Sequence, residues 1–511
     1  MTDRWRQTAA GKALLAAGST WLGVGLLGAI VVHLSLASTL PMDFAASIGV
    51  ELFDPSDPAE LYWWPPFLVL CVALCANLCV ATALRVPPRW RNAGAWCSHT
   101  GLIVLALGSA WYAGHSVAGD SVSVRTRGGW TPIQHVYRKH SFAVYVTPAG
   151  QEAPRQSSLG RLVPRGGPRD LDVPVDGGAE GVEVRATRFY PRAGVVSRWA
   201  DVSPNRVPAV ELRITDGEEA GEIVLSPSLP DCRQYAGRGY AVIYHAGLTP
   251  EALAKMIAPG APDGGPGMPH DIALIVTGSR IDPTLAVIRP DGSRWHGRLE
   301  VGKALDVPLA GRTVRVEPLR FLERAARLYD VETDADPAGH DHGHHHDGPV
   351  GPVIRLEVRS GGFRRTTHVL FSAYHHLAPS QLIDLPGNQG LWLGFSRLRD
   401  ALPATLQIER AEFQTYPGSQ IPKDYVCQVR VSSGGISRPD TLNLNRPVEV
   451  GEFQFSQGSW AEDPHDPVQI FLTAASRPAL PVIWAGCILI CLGFPVAFYV
   501  KPLLLRRRAS S

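Results

Sequence analysis

Four long apolar runs and a polar, alternating middle organise this chain. The runs cover about 19–40, 66–84, 96–113 and 480–500. Crossing a hydrocarbon core of ~30 Å takes roughly 20 apolar residues in a helix, so each run predicts a transmembrane helix. The long middle has a different period. In "VIRLEVR", Ile354, Leu356 and Val358 fall on one face and Arg355, Glu357 and Arg359 on the other. "VELRI" (Val210 to Ile214) and "VCQVRV" (Val426 to Val431) repeat that alternation. Period two with one apolar face predicts half-buried strands. Clusters such as "PDGS" and "SSGG" punctuate the runs as turns. Many short strands of this kind predict sandwich-like antiparallel sheets. The best helical stretch in the middle is "PEALAKMIA", around Pro250 to Ala258.

The predicted fold is therefore a membrane protein. It has four transmembrane α-helices, with a large, mainly-β extracytoplasmic domain between helices three and four. The domains are 1–114, with helices at 19–40, 66–84 and 96–113; then 115–477; then 478–511, the last helix with a basic tail. "LASTL" offers small residues for signal cleavage, but the first run is longer than a signal h-region of about 7–15 residues. The expected product is membrane-anchored.

Charge orients the spans. Arg4, Arg6 and Lys12 precede the first, Arg85, Arg89 and Arg91 separate the second from the third, and Lys501, Arg506, Arg507 and Arg508 follow the fourth. The loop between the first two holds Asp43, Glu51, Asp54, Asp57 and Glu60 and no basic residue. Basic flanks stay in the cytoplasm, which places both termini there and the middle outside. The lack of a transit peptide favours a bacterial inner membrane. A net charge of +2, with no basic stripe interleaved with aromatics, argues against nucleic acid as a partner.

Cysteine usage does not describe a disulfide framework. Cys71, Cys75, Cys79, Cys97, Cys487 and Cys491 lie in or beside apolar runs, and only Cys232 and Cys427 lie in the middle. Their spacing does not support a Cys232–Cys427 bridge, and two unpaired buried thiols are an equal alternative to it. Cys71, Cys75 and Cys79, four apart, share a helix face, where helix packing outweighs thiol chemistry. A tract holding His340, His342, His344, His345 and His346, within 339–348, has the composition of a metal-binding segment. A solvated loop with incidental metal affinity explains it better. His99, almost at the start of the third run, is an ionisable ring where such rings are costly. Position alone favours a histidine bonded to headgroups or to a neighbouring helix. For His33, inside the first run, packing or hydrogen bonding is the reading.

The order of these features resembles the ResB family, the membrane subunit of System II cytochrome c biogenesis. "LYWWPPFLVLCVALCANLCVATALR" looks like its second helix, and "CSHTGLIVLALGSAW" like its third, which begins with histidine. "NRVPAVELRI" resembles an Asn-Pro-Ala strand, with Arg206 and Val207 interposed. "IPKDYVCQVRV" resembles a Pro-x-Asp-aromatic strand entry, and "LNLNRPVEVGEFQFSQGSW" is the closest match. "RPALPVIWAGCILICLGFPVAFYV" resembles the last helix, although its end, "FYVKPLLLRRR", departs from the pattern in carrying no histidine. The resemblance covers both ends and is thin from about 215 to 350.

The resemblance implies a haem-handling subunit of a haem delivery and ligation complex, non-catalytic or co-catalytic. It implies a CcsA/ResC-type partner, apocytochrome c as client, a thioredoxin-like reductant as a further partner, and the lipid bilayer as surroundings. Haem b would be held transiently and shared with the partner, with His99 matching the family's membrane histidine, its proposed axial ligand. Two other classes compete: an anchored extracytoplasmic scaffold and a metal-binding protein built on the His tract. A haem absorbance spectrum separates the first reading from both.

Overall fold

The computed structural model describes residues 8–39, 65–162, 167–229, 232–245, 272–277, 283–289, 294–309, 312–332, 350–377, 380–418, 422–463 and 466–500. The stretch around Pro250 to Ala258 and the tract from His340 to His346 lie outside the described residues.

The described residues include five α-helices that pack on one another: α1 (Ala9–Ala17), α2 (Thr20–Thr39), α3 (Pro65–Arg85), α4 (Ala93–His115) and α5 (Leu480–Pro495). Three are long and apolar enough to cross a membrane, or four if the bent pair α1–α2 is one span. The 46° bend falls at Gly18. A Cβ there would come within 3.0 Å of Val80 and 3.2 Å of the Ala81 backbone on α3. Carbonyls freed at such a break need donors, and Asn77 Nδ2, from α3, reaches both Ala17 O at 2.5 Å and Ser19 O at 3.0 Å. Pro87 and Pro88 follow α3 closely and cannot continue its hydrogen-bond ladder. After Pro495, α5 loosens into a π turn over Val496–Val500.

Glycines set the contact between α4 and α5. Gly94, Gly101 and Gly108 recur every seven residues on α4, as do Gly486 and Gly493 on α5, so each set lies on one stripe. A Cβ on Gly101 would meet Ile490 N at 2.8 Å and Gly486 O at 2.9 Å; one on Gly486 would meet Leu105 N at 2.7 Å. The two backbones touch, as small residues allow where helices pack without a hydrophobic drive.

The same two helices run directly into the β region. Strand Val117–Thr126 leaves α4, strand Asp466–Ser476 enters α5, and they pair antiparallel from Val117↔Ser476 to Val124↔Gln469. They belong to a 16-stranded sheet. A five-stranded and a four-stranded sheet face each other as a separate sandwich. Val210, Leu212 and Ile214 from one layer pack there against Tyr240, Val242, Leu274 and Val287 from the other.

Pairing is antiparallel almost throughout. Tyr240–His245 and Ile272–Thr277 form a parallel pair, and Phe371 and Ser372 pair in parallel with Phe395 and Ser396. Many strands of the large sheet are short, as expected, such as Arg155–Gly160 and Gln381–Leu385, but Val182–Asp201 and Gln389–Thr415 span 20 and 27 residues. Register shifts, such as that between Arg397 and Arg399, let one long strand bend and continue. Strands Ile133–Pro148 and Gln389–Thr415 therefore serve two cores. Phe142, Val144, Leu393 and Phe395 fill one; Ile133, Val136, Leu406 and Ile408 fill the other.

Candidate functional site

His99 sits two turns into α4, half-buried, against the C-terminal part of α3. Its Nδ1 lies 2.7 Å from Thr82 Oγ1. Thr82 is buried, and its hydroxyl donates to the Leu78 carbonyl at 2.7 Å, four residues back on its own helix. A threonine hydroxyl has a single proton. Once the Leu78 carbonyl accepts it, Thr82 can only accept from the imidazole. Both bonds form together only if Nδ1 carries the ring proton, which assigns the tautomer from the network. Nε2 then keeps its lone pair.

The expected bond between His99 and a neighbouring helix is thus present, and it consumes one ring nitrogen. The site has two further polar atoms of note. Trp96 Nε1 and Ser98 Oγ are buried with no hydrogen-bond partner among the described residues. Trp96 is three residues before His99, on the neighbouring part of the same helix face. Unsatisfied buried donors are costly and uncommon in folded proteins.

His33 lies elsewhere. Its ring stacks on Phe67, with centroids 4.7 Å apart and planes 22° apart. Phe67 and Thr82 both lie on α3, about 22 Å apart at 1.5 Å per residue. His33 and His99 therefore sit near opposite ends of one helix, and their rings do not share a site. α5 contributes no histidine.

The cysteines form no cluster. Cys71 and Cys75 are half-buried on α3 while Cys79 is exposed. Cys97 Sγ donates to Leu489 O at 3.3 Å, within the α4–α5 contact. Neither Cys232 nor Cys427 is in a disulfide. Cys427 is fully buried between strands, and burial pushes its thiol up to about 11. Among the described residues, no group of three or more His, Cys, Asp or Glu side chains has metal-binding geometry.

The motifs of the β region do structural work. In "NRVPAVELRI", Asn205 Nδ2 donates to Leu385 O at 2.7 Å, and its Oδ1 accepts from Asn388 N at 3.1 Å, tying this segment to the hairpin turn at 385–389. In "LNRPVEVGEFQF", Gly451 turns the chain at φ 63°, where a Cβ would lie 2.4 Å from Pro403. No family model matches this chain, and no curated protein matches it either.

Proposed function

We propose that this chain is a membrane protein that holds haem, as one subunit of a System II type cytochrome c maturation complex, with His99 supplying one axial ligand. The observation that carries this reading is the Thr82–His99 pair. An iron-binding imidazole needs a neutral ring, a free lone pair on one nitrogen and a fixed orientation from the other. Thr82 supplies the last two from a buried position. Trp96 Nε1, a donor with no acceptor one turn away, suits an anionic substituent of the bound group.

The donor set fits one axial position. Bound haem would bring an iron centre that takes two axial ligands, and no second histidine of the described residues stands near His99. The second ligand therefore comes from a CcsA/ResC-type partner, and the site lies between subunits. Thr82 holds the ring, α3 and α4 fix its height, and the glycine contact with α5 fixes α4.

The helices that are apolar enough to span, with the basic flanks read from the sequence, support a four-span topology with both termini cytoplasmic and the β region outside. Single cysteines near Glu51 and Gly362 should both react with an impermeant thiol reagent added from outside. Protection of either site contradicts the orientation. For function, His99→Ala should abolish holocytochrome c formation in cells at undiminished levels of the variant. Normal holocytochrome in that strain contradicts the haem reading.

A further inference from the structure

A second polar cluster lies in the β region, where strands Ile133–Pro148 and Gln389–Thr415 pass from one core to the other. The register shift between Arg397 and Arg399 falls at this crossing. Tyr137 pairs directly with Arg399, and His135 with Ala401, so all four share one face. A short turn, His375–Leu377, brings two more histidines. Tyr137 Oη lies 2.9 Å from His376 Nδ1. His375 stacks flat on Tyr145 at 4.0 Å, and the Arg399 guanidinium sits 5.4 Å over the ring of the same tyrosine.

The charge count here is uneven. Arg138 grips Asp400 with two bonds of 2.7 and 2.9 Å, and Arg397 holds Asp120 at 2.8 Å. Arg399 has no carboxylate partner among the described residues. Its side chain makes a long bond, 3.5 Å, to Pro154 O and a hydrogen bond with the Tyr137 hydroxyl, neither of them to an anion. Guanidinium groups are almost never fully buried without a partner, and Arg399 is partly buried with no anion beside it among the described residues. His135, on the same face, also lines an open groove of about 410 Å³, together with Gln134, Ala401, the strand residues 402–405 and the hairpin end at 432–434.

We infer that Arg399, with His135, Tyr137 and His376 around it, binds a monocarboxylate, the carboxylate on the guanidinium and the rest of the molecule toward the groove beside His135. The planar fork of an arginine matches the two oxygens of a carboxylate. Burial first, and then the Arg399 charge, lowers both His135 and His375 to about 4. At neutral pH both rings are therefore uncharged and the site offers a single positive charge. That charge suits a monoanion better than a phosphate dianion. The site is independent of His99, and its test does not depend on haem.

The test uses full-length protein in detergent micelles with benzoate as the probe, titrated by saturation-transfer NMR, and with benzamide and inorganic phosphate as comparators. Benzoate should bind, benzamide should bind at least about ten-fold more weakly, and Arg399→Gln should weaken benzoate about ten-fold or more. Arg399→Lys, which keeps the charge without the fork, should fall between, and it decides the matter if the glutamine variant does not fold. Equal binding of benzoate and benzamide, absence of benzoate binding at millimolar concentration, or unchanged benzoate affinity in the folded variants overturns the inference. Displacement of benzoate by phosphate at lower concentration than benzoate itself requires also overturns it, in favour of an inorganic-anion site.

Discussion

Replacing Gly101 or Gly486 by alanine tests whether backbone contact between α4 and α5 holds the helices together. Each new methyl would lie 2.7–2.9 Å from backbone atoms of the facing helix. Backbone cannot move aside as a side-chain tip can, so the helices must separate by about 1 Å to restore ordinary contact. Overpacking of this kind costs about 1–3 kcal/mol. Alanine also gains about 1 kcal/mol over glycine inside a helix, which offsets part of that loss. Gly25, on α2, isolates this second effect, because a Cβ there meets nothing within 4 Å. Thermal unfolding in one detergent, followed by circular dichroism, should rank Gly25→Ala at or above the parent, with Gly101→Ala and Gly486→Ala below it. Gly101→Leu should be lower still. Because Val117 and Ser476 pair just beyond these helices, the loss should extend to protease resistance at the base of the sheet. If Gly101→Ala and Gly486→Ala both melt no lower than the parent, the close backbone contact is refuted.

Three further outcomes follow from particular contacts. Thr82→Val removes the acceptor of the His99 Nδ1 proton at nearly constant volume, so haem retention by the assembled complex should fall about 10–100-fold and Thr82→Ser should restore it, as read from the absorbance of bound haem. His135 and His375 fall from an ordinary 6.5 to about 4 when folded; the unfolded chain binds more protons between those values. Stability should therefore be complete above about pH 6.5 and decline as pH falls toward 4, with a shallower decline in His375→Gln, measured by denaturant unfolding across that window. Asn77→Ala leaves the Ala17 and Ser19 carbonyls at the α1–α2 break without their donor, and should cost about 1–3 kcal/mol in the same melting assay while Asn77→Gln costs less.

Much of the architecture was legible in the sequence because it depends on local periodicity. The apolar runs at 19–40, 66–84 and 96–113 became Thr20–Thr39, Pro65–Arg85 and Ala93–His115. The alternation of "VIRLEVR" marked the core face correctly, with Ile354, Leu356 and Val358 fully buried. The longest strands were missed, since a bulge such as that at Arg397–Arg399 leaves no clear sequence signal and reads as a break between two short strands. The glycines at 94, 101 and 108 were visible as a seven-residue spacing, but their partners lie at 486 and 493, so only the fold reveals the contact. Sequence alone singled out His99 as chemically unusual. It could not supply Thr82, an ordinary helix residue whose role comes from standing opposite on α3. The cluster around Arg399 was missed entirely, because its members come from three segments whose adjacency depends on strand register. A lone "YHH" within "AYHHLAPS" was the only local signal.

The most direct measurement is the haem spectrum of the purified chain and of its complex with the proposed CcsA/ResC-type partner, each as parent, His99→Ala and His33→Ala. One usable imidazole among the described helices, with His33 about 22 Å away along α3, predicts weak or absent haem in the isolated chain and bound haem in the complex. It predicts loss of that haem in His99→Ala, recovery on adding free imidazole, and little change in His33→Ala. Stoichiometric bis-histidine haem in the isolated chain, abolished by His33→Ala, or an unchanged spectrum in the His99→Ala complex, would contradict it.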